Sequence, residues 1–492
     1  MEQVTIRKIN ETFIHVECDP SIERELSEHF QFYVPGYKFM PAYRNRMWDG
    51  KIRLFDYRKK TLYSGLLKYL QEFCESRDYK CVTDARLARG LDPDLDYLLK
   101  KTPLFVQNNP IEPRDYQLKA LRECLREKKQ LLLSPTASGK SLIIYLAVRF
   151  FLDLFEENVL IIVPTTSLVE QMYSDFADYS SQDSGFNVEE DCYRIYGGAD
   201  RHNIQQRVVI STWQSLHRLK APWFEGYGMV IGDEAHQFKA KSLTSIMEKC
   251  INAQYKIGTT GTLDGTQTHQ LVLEGLFGPV FQVTTTKELM SKDQLAQLDI
   301  DVLLLKYKDE YCKEHRKYQD ELDFIVGYQP RNNFIANLAL DQEGNTLILF
   351  NYVEKHGKPL HDILKGKIDD NRKLFYVSGE TDVDTREMVR AITEKENDAI
   401  IVASLGTFST GINIKRLHNL IFASPSKSQI RVLQSIGRGL RKSNDGRNTK
   451  VFDIADDLHW KNKKNYTLEH AAERIKIYSK ERFNYEIWDI NI

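Results

Sequence analysis

No two cysteines in this sequence stand in a Cys-x-x-Cys pair, and no apolar run is long enough to span a bilayer. The seven cysteines (18, 74, 81, 124, 192, 250 and 312) are scattered. That spacing speaks against a zinc site and a disulfide framework and fits a reducing cytosol. The stretch IIYLAVRFFL is short and interrupted by Arg149, and the opening MEQVTIRKIN resembles neither a signal nor a transit peptide. No membrane association is expected. An excess of positive charge is also missing, the net charge being −1, so any affinity for nucleic acid must come from local patches. What remains is a soluble globular composition, 42% hydrophobic and 28% charged. At 492 residues the chain is too long for a single core.

From Leu131 onward, short runs of Val, Ile and Leu alternate with helix-length segments: LLLSPT, VLIIVPTT, VVIST, MVIGDE and KIGTT. Continuous apolar runs suit strands buried on both faces of a parallel sheet. Their small or polar last residues then gather at the strands' C-terminal ends, where open α/β sheets bind ligands. A second series follows with TLILFN, KLFYVSG, AIIVASLGT, NLIFASPS and KVFDIADD. Two α/β domains of similar architecture are therefore expected. The first hundred or so residues lack this alternation, and TPLFVQNNPIEP has the Pro and Asn content of a linker.

Residues 36–60 carry eight Lys or Arg against two Asp, a net of +6, with six aromatics interleaved. Such a stretch offers cations to phosphate and rings for stacking, which singles out Arg44, Arg46, Trp48 and Lys51. The plainer alternative makes the rings core and the cations a solvated face. Asp49-Gly50, between MW and KIRLF, reads as a hairpin turn. The tail WKNKKNYTLEHAAERIKIYSKERFNYEIW reads as a basic amphipathic helical segment packing on the second α/β domain.

The segment LLLSPTASGKSLIIYLAV supplies a strand, a tight loop, a lysine and a helix start, in that order. Unpaired N–H groups of Pro135 to Gly139's loop and the helix start, together with the helix dipole, suit phosphate. The nucleotide-binding residues expected in the loop are Pro135, Thr136, Ala137, Ser138 and Gly139. Lys140 is placed to reach the β- and γ-phosphates of ATP, and the Ser141 hydroxyl to ligate Mg²⁺. Ser134 stands where the first glycine of such a loop is usual. Asp233 ends the apolar run MVIGDEAH and is the second metal-ligand candidate. Glu234 beside it can orient or deprotonate water.

PTASGKS, DEAH, TTGT and QSIGRGLR, in that order, resemble motifs I, II, III and VI of superfamily 2 helicases. PRDYQ resembles the Q motif, VPTTSLVEQ motif Ia, VISTWQ motif Ib, and ASLGTFSTGIN motif V. PGYKFMPAYRNRMWDGKIRL, VSGETDVDTRE and KERFNY further resemble phage-encoded DNA helicases. The resemblance implies two RecA-like parallel-sheet motor domains, 106–285 and 286–492, preceded by a small α/β accessory domain, 1–105.

It also implies roles. Gln117 and Arg114 fall where adenine is read, and a glutamine amide suits adenine's adjacent donor and acceptor. His236 takes the place that links the ATP site to motif III. Gly411 joins the nucleotide-binding set, and Gln434, Arg438 and Arg441 the catalytic set, Arg441 as the finger on the transferring phosphoryl. Thr165, Thr212, Ser378, Thr407 and Ser409 would hold a nucleic-acid backbone, although each alone is as readily a helix cap or turn residue. The implied protein is an ATP- and Mg²⁺-dependent DNA helicase of a phage, monomeric, working on single-stranded and branched DNA in an infected cell's cytoplasm. Its implied partners are phage recombination or single-strand-binding proteins. An RNA helicase and a nucleotide switch without turnover are the rival readings. The pairing of Glu234 with two arginines speaks against the switch.

Overall fold

The computed structural model describes the chain apart from residues 1, 91, 136–137, 264–266, 293–297, 315, 370, 408–416, 425–448 and 482. Thr136, Ala137, Ser409, Gly411, Gln434, Arg438 and Arg441 lie outside the described residues. The chain divides into two compact units, one of residues 1–134 and 139–284, the other of 135–138 and 285–492.

In the first unit, QVTIRK and FIHVE alternate apolar and polar residues, so Val4, Ile6, Ile14 and Val16 all fall on one buried face. Gln3–Lys8 and Phe13–Glu17 pair antiparallel within a four-stranded sheet, completed by Thr61–Tyr63 and Lys80–Thr83. Ile22 and Leu26 of helix Pro20–His29 and Leu70 and Phe73 of helix Leu67–Glu75 belong to the same apolar core. This is the expected small α/β module.

Asp49-Gly50 does not make a tight hairpin. Lys51–Arg53 pairs with Gln31–Tyr33, and a short helix Pro41–Arg44 occupies the connection. Pro41 opens that helix, and Trp48 Nε1 donates to the Lys51 carbonyl at 2.9 Å, so Met47-Trp48 folds back as a turn. The expected linker also has structure: Phe105–Val106 pairs with Asn109–Pro110 across Gln107 and Asn108, both at positive φ. Two such residues form the primed turn that matches strand twist.

The accessory sheet is fastened to the neighbouring α/β layer by buried and half-buried polar contacts. Lys256 Nζ donates to Thr12 Oγ1 at 2.6 Å, and Lys129 Nζ meets Glu11 at 3.2 Å and Ser64 Oγ at 3.0 Å. Tyr63 donates to Glu248 at 2.6 Å. Burial pulls the Lys256 ammonium down to about 7 from its usual 10.5. Between those values the unfolded chain holds a proton that the folded chain has released, so stability rises with pH, by at most about 1.4 kcal/mol per pH unit. Below the lower value both states are protonated and this contribution is flat. Lys256→Met is expected to remove the rise, leaving Thr12 to donate to the Met247 and Cys250 carbonyls. Denaturant midpoints of both proteins from neutral to mildly alkaline pH measure this; parallel profiles would refute it.

The larger sheet of the first unit runs Cys192–Ile195, Val208–Thr212, Asn158–Val163, Tyr227–Asp233, Tyr255–Thr260, Lys129–Leu133, Val280–Gln282, all parallel. Every residue of YGMVIGD is buried, as a two-faced central strand requires. Asp233 is in register with Thr259, and Thr260 with Leu133. That register brings DEAH, TTGT and the start of SPTASGKS to one edge.

The second unit has its own parallel sheet, ordered Leu374–Val377, Ile400–Ser404, Thr346–Phe350, Asn419–Phe422, Thr449–Asp457, Leu298–Lys306, Asn484–Asn491. The tail is only partly helical. Helix Tyr466–Glu481 packs on Thr449–Asp457 through Arg474 and Tyr478, which both bond Asp453. NYEIWDIN then forms the edge strand beside Leu298–Lys306, correcting the expectation of helix there. Its β-branched and aromatic residues favour that outcome. Among the described residues, no helix is long and apolar enough to cross a membrane.

Candidate functional site

Asp233 closes its strand with 8% of its surface exposed, and Thr259 Oγ1 donates to its Oδ1 at 2.6 Å. Burial raises the Asp233 carboxyl above the usual range; Lys140 opposes that shift and Glu234 adds to it. The next residue, Glu234, adopts a left-handed φ of 51°. A non-glycine residue there is strained, and the turn lets consecutive carboxylates face different partners. Glu234 Oε1 lies 3.6 Å from Lys140 Nζ, while its Oε2 lies 3.3 Å from His236 Nδ1. The same His236 nitrogen is 3.1 Å from Thr260 Oγ1. A continuous polar path thus joins the loop lysine, DEAH and TTGT.

The loop is anchored to the same strands. Ser134 is fully buried, and its N–H donates to the Thr260 carbonyl at 2.8 Å. The first-glycine position is therefore sheet extension, where a side chain is tolerated. Ser138 turns back on Pro135, its hydroxyl donating to that carbonyl at 2.6 Å. Gly139, at φ 77°, caps the helix Lys140–Leu154, and a Cβ there would collide with the Gln117 amide. Glycine is needed at this position.

Gln117 is 5% exposed and already engaged: Oε1 accepts from the Arg114 N–H at 2.8 Å, and Nε2 donates to the Gly139 carbonyl at 3.4 Å. Arg114 in turn donates to Tyr116 at 2.8 Å. The Q-motif glutamine therefore ties the start of helix Asp115–Glu127 to the loop. The Ser141 hydroxyl lies 2.9 Å from the Tyr179 hydroxyl.

These donors fit a nucleotide with a divalent cation. A helix N-terminus after a glycine and a lysine suit phosphate oxygens, and a carboxylate whose burial opposes ionisation is offset by a dication at its side.

The proposed strand-contacting hydroxyls divide differently. Thr165 caps helix Thr166–Tyr179, accepting from Leu168 N at 3.3 Å, and Thr212 is buried with its hydroxyl 3.1 Å from Ser215 Oγ. In the second unit, Thr407 accepts from Ser404 Oγ at 2.7 Å, and the Ser378 hydroxyl accepts from Glu380 N at 3.4 Å. Thr407 lines a cavity of about 670 Å³ together with Asn351, Tyr352, Gly379, Ser404 and Arg386. Arg386, which donates to the Gly379 carbonyl at 3.0 Å, is a cation that the reading of hydroxyls overlooked. Its signal was present in VSGETDVDTRE, where Arg386 stands four residues after the helix cap Asp382.

In the accessory module, Arg44, Arg46 and Trp48 line one cavity of about 600 Å³ with Lys38, Tyr43 and Met47. Lys51 stands apart, its Nζ 5.0 Å from the centre of the Tyr33 ring. Phe39 and Met47 are 76% and 74% exposed beside this cavity, so part of the aromatic content is surface.

Residues 4–84 match the family model "DNA helicase UvsW, N-terminal", 110–265 "Type III restriction enzyme, res subunit", and 331–443 "Helicase conserved C-terminal domain". The chain is 36% identical over 97% of its length to the ATP-dependent DNA helicase uvsW of Enterobacteria phage T4, and covers 98% of it. It is 24% identical over 70% of its length to the DNA 3'-5' translocase XPB2 of Sulfurisphaera tokodaii, covering 82% of that protein. The crystal structure of T4 UvsW matches with a TM-score of 0.54 at 34% identity, over 99% of each chain. With two parallel-sheet motor folds, an N-terminal module of this type and near-complete coverage, the chain belongs to the UvsW family of ATP-dependent DNA helicases.

Proposed function

We propose that this helicase remodels branched DNA, unwinding or migrating forks, junctions and displacement loops, with ATP hydrolysed at the loop between Leu133 and Ser141. The observation that carries the ATPase reading is the path Lys140–Glu234–His236–Thr260 beside buried Asp233. Lys140 holds the β- and γ-phosphates, and Glu234 orients the attacking water. Ser141 and Asp233 would hold magnesium, which when bound neutralises phosphate charge. His236 passes the state of the site to Thr260. Arg441, with Arg438 and Gln434, completes the catalytic set from the domain 286–492, and Gly411 the nucleotide-binding set. Family membership and the basic, aromatic accessory module support the branched-DNA reading. ATPase rates measured with forked DNA, linear single strands and RNA test it; equal stimulation by all three would overturn it.

The accessory module, taken as domain 1–105, would grip DNA through Arg44, Arg46 and Trp48, with Lys51 nearby. Its polar docking argues for point substitutions instead of deletion. Arg44→Ala combined with Arg46→Ala is expected to weaken junction binding and to lower the slope of log affinity against log salt by about 2, one per lost phosphate contact. Both side chains are exposed, so the melting temperature should hold. An unchanged salt slope would show that these cations face solvent only. Monomeric action in the host cytoplasm, with recombination or single-strand-binding proteins as partners, completes the proposal.

A further inference from the structure

Ser141, Tyr145 and Arg149 are spaced four residues apart on helix Lys140–Leu154 and share one stripe of its surface. A segment distant in sequence contacts that stripe at each level. Tyr179 Oη lies 2.9 Å from Ser141 Oγ, and its ring centre is 5.5 Å from that of Tyr145. The Tyr145 hydroxyl accepts from Arg149 at 3.0 Å. Arg149 is paired with Asp183, and its guanidinium lies 4.9 Å from the centre of the Phe186 ring. Tyr145 is fully buried and Arg149 is 8% exposed. The Tyr179 ring therefore rests on a fixed aromatic and ionic base.

A serine hydroxyl has one proton and two lone pairs. When one lone pair faces a dication, the proton must point elsewhere, and an acceptor at hydrogen-bond distance holds the rotor in that orientation. Tyr179 Oη lies at that distance from Ser141 Oγ, and when Ser141 is the donor it is such an acceptor. We infer that Tyr179 is a positioning residue of the ATPase site: by taking the Ser141 proton, it keeps a Ser141 lone pair directed to magnesium. This rests on the proposed role of Ser141 as a metal ligand. The base beneath Tyr179 explains why an arginine is buried in the middle of an otherwise apolar helix. Arg149, fixed by Asp183, holds Tyr145, and Tyr145 holds the Tyr179 ring.

The test is a Mg²⁺ titration of the full chain, following the anisotropy of a fluorescent ATP analogue. Each variant is referred to its own Mg²⁺-free affinity. Tyr179→Phe keeps the ring on Tyr145 and removes the hydroxyl that faces Ser141. It is expected to raise the Mg²⁺ midpoint about tenfold, as loss of a group that orients a metal ligand does. Ser141→Ala should raise it at least as far, and Tyr179→Phe should add nothing in the Ser141→Ala background. A Tyr179→Phe midpoint at the wild-type value, with Ser141→Ala raised, overturns the role of Tyr179 alone. An additive loss in the double variant does so as well. A Ser141→Ala midpoint at the wild-type value overturns the metal assignment itself, and the inference falls with it.

Discussion

Replacing Lys140 by alanine is expected to abolish ATP turnover while leaving the first unit folded. Its Nζ lies 3.6 Å from Glu234 Oε1, and it opposes the burial that raises the Asp233 carboxyl. The substitution therefore removes two things at once: the charge that would meet the phosphates, and the charge that opposes the upward shift of the Asp233 carboxyl. Loss of one aimed donor in a preorganised site costs about 10²–10³ in turnover, and a full positive charge on the transferring group should cost no less. Stability should change little, because the lysine lies at a helix start and leaves no buried amine behind. Phosphate release with and without DNA, alongside a thermal melt, separates the two effects. Turnover at the wild-type level would sink the assignment of the loop.

The strands of both motor sheets were legible because two-faced burial leaves an unbroken apolar signature, as in YGMVIGD and TLILF. The chemistry at their ends was legible because the residue types are few and ordered. What escaped notice was pairing across distance. Gln117 stood out as a ligand candidate, yet nothing in PRDYQ tells that its amide reaches Gly139. Nor does LDIDVLLLK announce an inner strand, because Asp299 and Asp301 interrupt its apolar run. NYEIWDIN was hidden by the helical periodicity before it; an edge strand with exposed Ile487 and Trp488 has no buried face to mark it. In the accessory module the turn signal at Asp49-Gly50 was overridden by Pro41 and by the bond from Trp48 to Lys51.

Arg331→Met should be among the most destabilising single substitutions in the second unit. Arg331 and Asp456 are both fully buried and joined by two bonds, Nε to Oδ1 at 2.6 Å and Nη2 to Oδ2 at 3.0 Å. Arg331 also donates to the Ala423 carbonyl at 2.8 Å, and Tyr307 donates to Asp456 at 2.8 Å. Arg331 thereby links helix Gln329–Asp341 to strand Thr449–Asp457 and to the residue just past strand Asn419–Phe422. Methionine fills much of the arginine's volume but leaves the Asp456 charge in the core, bonded by the Tyr307 hydroxyl without its cation. Removing one member of a buried pair costs about 3–5 kcal/mol, most of it the penalty on the stranded charge. Combining Arg331→Met with Asp456→Asn removes both charges while keeping an amide oxygen for Tyr307. The double variant should therefore recover a large part of the loss, which a mere packing defect would not allow. Denaturant unfolding of the full chain, followed through the transition of the second unit, measures both. A double variant as unstable as Arg331→Met would show that shape, and not charge, dominates at this position.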